Sequence, residues 1–120
     1  MIEKLIATLF LSREVTHREH LKAKRHGAHL ILEEFYDDIL DALDKLAECY
    51  QGRNGIIDNI PILTNDRPNT DIVKLLEYHM AVVEKLRYVA ISKDDAPVQA
   101  IVDEVVMVYL RAIYKLNSLK

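Results

Sequence analysis

The chain has 120 residues and a net charge of -3, with 50% hydrophobic and 29% charged residues. That is one domain's worth of sequence with a single modest core, and the acidic balance argues against a general nucleic-acid binder. The longest uncharged, largely apolar run, Leu5 to Leu11, is far short of the roughly twenty residues a membrane span needs. No signal-peptide pattern is present, and the single cysteine, Cys49, cannot form an internal disulfide, so the expectation is a soluble cytoplasmic protein in a reducing compartment. Cys49 itself reads as a small apolar packing residue.

Only three Gly and three Pro favour helices, and four stretches carry helical periodicity. The first sets Ile2, Leu5, Ile6, Leu9 and Phe10 on one face and is predicted to run to about Lys24, with Gly27 interrupting. The second runs from about Ala28 to Tyr50 through Leu30, Ile31, Phe35, Ile39, Leu43 and Leu46, and the glycines of QGRNG close it. Residues 52 to 68 form a long connection whose apolar GIIDNIPIL is expected to pack down. The third helix begins near Thr70-Asp71 and carries Ile72, Leu75, Leu76, His79, Val83 and Leu86 inward, with His79 as a core histidine. SKDDAP is a turn in which Asp94 or Asp95 caps the fourth helix, and Pro97 fits its first turn. The fourth helix has Val98, Ile101, Val102, Val105, Tyr109, Ile113 and Leu116 as its apolar stripe. Short turns make antiparallel neighbours and a long middle connection crosses the bundle. The predicted fold is therefore all-α, a ferritin-like four-helix bundle with a crossover between the second and third helices, in one domain over residues 1–120.

Polar residues break this simple pattern. His29, Glu33, Asp37, Leu40, Asp44 and Glu48 fall within about one third of the second helix's circumference, away from its apolar stripe. Between Ala28 and Glu48 the only base is Lys45, whereas a solvated face usually interleaves bases with acids. His29 and Asp44 lie about 22 Å apart along a helix, so they cannot share a metal within one chain. An antiparallel copy of the same helix removes that obstacle. The pairs His29–Glu48 and Glu33–Asp44 both sum to 77, so one register joins both pairs at a two-fold interface. Its centre lies between Asp38 and Ile39, with Tyr36, Asp37 and Leu40 at the interface. Such a nitrogen and oxygen donor set suits Fe(II), Mn or Zn. His17 and His20 share a face of the first helix near the turn and are its candidate ligands.

The run HLILEEFYDDILDALDKLAE resembles the second helix of Dps-like ferritins, with His29, Glu33, Asp44 and Glu48 at that family's spacing. HREHLKAKRHGAHLILEEFYDD followed by AECYQGRNGI is similar to short Dps-like proteins of bacteriophages, and the last two helices also look like that family's. The resemblance implies an inter-subunit di-iron ferroxidase centre that oxidises Fe(II) with peroxide or oxygen. It implies iron storage in a dodecameric shell and protection from oxidative stress, in a bacterial or phage-infected cell. His17 stands twelve before His29, the family's spacing, and His20 fits a shorter turn. The Trp that commonly follows the first-helix ligand is absent, as is a lysine-rich DNA-binding tail, so DNA binding is not favoured. A local basic cluster at Lys22, Lys24 and Arg25 remains.

Two other functions fit a helical bundle with these residues. One is an oligomeric assembly or host-interaction protein that keeps the fold with little or no iron chemistry. The other is a histidine phosphotransfer domain with His20 as the phosphorylated residue.

Overall fold

The computed structural model describes residues 1–119. It has four helices and, among the described residues, no strand: α1 (Ile2–Lys22), α2 (His26–Asn54), α3 (Ile72–Ala90) and α4 (Ala96–Ser118). Among the described residues, no helix is long and apolar enough to cross a membrane.

Most of each apolar stripe became a buried face, although Phe10 of the first and Leu30 of the second are exposed. Leu5, Ile6 and Leu9 of α1, Phe35, Ile39 and Leu43 of α2, Leu76 and Val83 of α3, and Val98, Val102 and Tyr109 of α4 form one core. The backbones of α1 and α4 each run close to those of both α2 and α3, whereas the diagonal pairs α2–α3 and α1–α4 stand farther apart, α1 and α4 meeting through side chains in the core. The segment 55–71, here called the strap, therefore joins diagonal helices. Its Ile57 is buried in the core, while Ile56 and Ile62 stand in solvent.

Two boundaries differ from the sequence expectation. The turn between α1 and α2 is Ala23–Arg25, and Gly27 lies inside the first turn of α2 instead of interrupting the chain. Leu119 packs over it: a Cβ on Gly27 would sit 3.1 Å from a Leu119 methyl. Helix α2 also runs on through Gly52 to Asn54. It ends at Gly55, whose φ of 91° is the left-handed conformation that favours glycine.

The caps follow local chemistry. Asp71 accepts the backbone N–H groups of Val73 and Lys74, and Asp95, not Asp94, accepts that of Val98. Asp71→Ala should therefore lower stability by about 1 kcal/mol, read as a shift in the urea midpoint without a change in slope.

The core contains one polar node. Ser12 of α1 lies 2.7 Å from His79 Nδ1 of α3 and 2.6 Å from the Tyr109 hydroxyl of α4. A serine hydroxyl has one proton and two lone pairs, so it satisfies both neighbours at once. Burial pushes His79 down to about 4 and the Tyr109 phenol well above its ordinary range, so both are neutral near pH 7. His79 is the core histidine expected from its place on the inner stripe.

Candidate metal half-site

The ends of α1 and α2 that meet at the first turn hold four of the sequence-selected residues. His20 Nδ1 donates to the carbonyl of His29 at 2.8 Å, and His29 Nδ1 donates to the carbonyl of His20 at 3.0 Å. The two rings stack with centroids 3.7 Å apart. A ring nitrogen facing a carbonyl must carry its proton, so Nε2 is the nitrogen each ring has left for another partner. Metal-binding imidazoles are oriented by the same type of contact. His20 Nε2 lies 3.9 Å from Glu33 Oε1, a gap that one ion at about 2.1 Å from each atom spans.

His17 stacks on Tyr36 with centroids 4.3 Å apart, and its ring is 6.0 Å from that of His20. The guanidinium of Arg13, one helical turn earlier, lies 5.8 Å from the Tyr36 ring centre. Burial first, then the carboxylates of Glu33 and Asp37, push the Tyr36 phenol up, against the pull of Arg13. One face of Tyr36 is thus occupied within its own chain.

The remaining residues lie elsewhere on α2. Leu40 is half-buried and Asp37 exposed, while Asp44 and Glu48 are exposed on the far half of the helix. Because α2 is one uninterrupted helix, the separation of about 22 Å between His29 and Asp44 holds. Among the described residues, no three His, Cys, Asp or Glu side chains of one chain converge to hold a metal. Within one chain the histidine cluster and the Asp44–Glu48 pair therefore stand apart. The cluster fits a divalent ion in donor type and ring orientation, and one chain supplies only part of a shell. His20 is only 6% exposed, whereas phosphotransfer calls for an exposed histidine, so the geometry favours a buried ligand role over that reading.

Arg13 is the neighbour that sequence reasoning missed. Its spacing with His17 and His20 puts all three on one stripe of α1, which was the available signal. A groove bounded by α1 and the strap, with Arg13 on its wall, had no sequence signal at all. It forms only once residues far apart in the chain are packed together.

Residues 20–116 match a family of unknown function, DUF5856. The chain belongs to that family. The DUF5856 match spans His20, His29, Glu33, Asp44 and Glu48 and begins after His17. No curated protein and no solved structure matches the chain.

Proposed function

We propose that this DUF5856 member is a Dps-like, ferritin-like iron-binding protein whose di-iron ferroxidase-type site is completed between two copies of the chain. The observation that carries this reading is the reciprocal His20–His29 pair, which leaves two oriented Nε2 atoms, that of His20 3.9 Å from the Glu33 carboxylate. The diagonal relation of α2 and α3 supports the ferritin-like crossover, and the spacing of Asp44 and Glu48 supports the two-fold site.

Iron is the substrate in this reading. His29 with His20 or His17 supplies nitrogen from one copy, and Asp44 and Glu48 supply oxygen from the other. Glu33 bridges or orients, and the carboxylates balance charge and favour the ferric product. A pair of Fe(II) ions gives one electron each to peroxide, whose O–O bond breaks and takes up two protons to leave water. Mn or Zn would occupy the same donors without that turnover. The packing of His17 and Arg13 against Tyr36 holds its ring at the edge of the cluster.

A second reading has its own observation. The reciprocal bonds also clasp α1 to α2 at their turn, as a ferritin-like assembly or host-interaction protein without iron chemistry would need. Anaerobic Fe(II) titration followed by peroxide, with mass by light scattering, separates the two. Uptake of about two Fe(II) per two-fold site with rapid ferric absorbance supports the first. A folded oligomer that binds no Fe(II) would leave only the second.

A further inference from the structure

Helix α4 is apolar on two opposite faces. Its inner face, with Val102, Val105, Tyr109 and Ala112, is buried in the core, yet Met107, Leu110 and Tyr114 on the other side are 52%, 50% and 72% exposed. With Ala100 these three fall within about one quarter of the helix circumference. The solvent side of a bundle helix is ordinarily polar, and a helix apolar on both sides needs cover on both. Large apolar side chains gathered in one exposed patch mark an interaction surface.

Spacing and charge indicate what covers it. Ala100, Met107 and Tyr114 recur every seven residues, as do Asp103, Leu110 and Asn117, which is the seam of a coiled coil. Ion pairs border the seam, Glu104 with Lys45 and Arg111 with Glu34 toward α2, and Asp103 with Arg87 toward α3. An apolar centre inside a polar rim is the anatomy of a protein interface. A second α4 laid antiparallel across a two-fold axis fits the seam in one register. Met107 meets Leu110 of the second copy, Asp103 meets its Tyr114, and Ala100 meets its Asn117, each pair summing to 217. The Tyr114 hydroxyl can then donate to the Asp103 carboxylate that Arg87 holds at 2.8 Å. Glu104 comes opposite Arg111 on both sides of the axis, so charge is complementary as well. A parallel, in-register copy would instead set Asp103 against Asp103.

We infer that this face of α4 is an isologous coiled-coil interface, on which a second copy of the chain packs its own α4 antiparallel, Met107 on Leu110 and Tyr114 on Asp103. It uses neither the histidine cluster nor Asp44 and Glu48, so it stands or falls apart from the iron reading.

Disulfide trapping of the full chain in chelator reads the register directly. Cys49 is exposed and is first replaced by Ser. Ala100→Cys and Asn117→Cys chains are then mixed under mild oxidation. Paired positions lie within disulfide reach, whereas like positions of two antiparallel copies stand about 25 Å apart in this register. The linked heterodimer of the two variants should therefore form roughly 10-fold or more faster than either homodimer. Adding Leu110→Asp to both chains, at a half-exposed site outside the core, should slow the linkage roughly 30-fold or more. Tyr114→Phe should slow it several-fold, and Ile62→Asp, exposed on the strap, should leave it unchanged. Homodimers in place of the heterodimer would mean a parallel pairing and overturn the inference. Linkage indifferent to Leu110→Asp would come from another contact and overturn it too. No linkage of either kind would leave the face to the helix of a different protein, and the two-fold metal site would be untouched.

Discussion

An equimolar mixture of His29→Ala and Asp44→Ala/Glu48→Ala chains, each inactive alone, is expected to recover Fe(II) oxidation. In a homodimer of either variant both sites lack donors, and Fe(II) affinity should fall at least about 100-fold. In a hybrid, one site combines the damaged halves and the other combines His29 from one chain with Asp44 and Glu48 from its partner. Random pairing makes half the dimers hybrid with one intact site in each, so roughly a quarter of wild-type oxidation should return. Ferric absorbance after mixing, with dimer exchange followed by native mass spectrometry, gives the readout. Asp44 and Glu48 are exposed, so their variant keeps its core. Exchange without any recovery would mean that iron is not held across the two-fold axis.

The second large effect concerns pH. His79 is 3% exposed and its imidazole titrates at about 4 in the folded protein, chiefly because burial disfavours the cation. Unfolded, it titrates near 6.5. Between these values the unfolded chain binds the extra proton. The stability is therefore fully present above about pH 6.5 and is lost as pH falls toward 4, after which the loss levels off. The shift corresponds to about 3 kcal/mol. Urea unfolding of wild type and His79→Gln at pH 4 to 7.5 isolates this residue, since other titrating groups contribute to both. The two curves should converge at low pH, with wild type losing about 3 kcal/mol more than the variant. Parallel curves would mean that His79 is charged in the fold or reaches water through local opening.

The node that His79 shares with Ser12 and Tyr109 also constrains what can be substituted. Replacing Ser12 with Ala leaves the imidazole and the phenol without their shared partner inside a packed core, and buried polar groups are costly when unpaired. His79→Gln is the milder probe because an amide can still reach the Ser12 hydroxyl.

What the sequence determined was everything that depends on neighbours within a turn or two. The spacing of Leu5, Leu9, Phe35, Ile39, Val102 and Tyr109 at helical period located the helices and their buried faces, because periodicity is a property of 3.6 residues per turn and not of the fold around it. The Asp71 cap and the pairing of Pro97 with an aspartate cap were legible for the same reason. The separation of the nitrogen donors from Asp44 and Glu48 along one helix also followed from helical rise alone. Tertiary structure decided the rest. Gly27 reads as a breaker, and only Leu119 from the other end of the chain accounts for its place inside a helix. Both first-helix histidines have plausible spacing, yet packing put His20 against His29 and His17 against Tyr36. Ser12, 67 positions from His79 and 97 from Tyr109, became a buried node, and Ile62 came to rest across a groove from Phe10. Such contacts join residues that local propensity treats independently, and only the close packing of α1 against its neighbours and the strap brings them together.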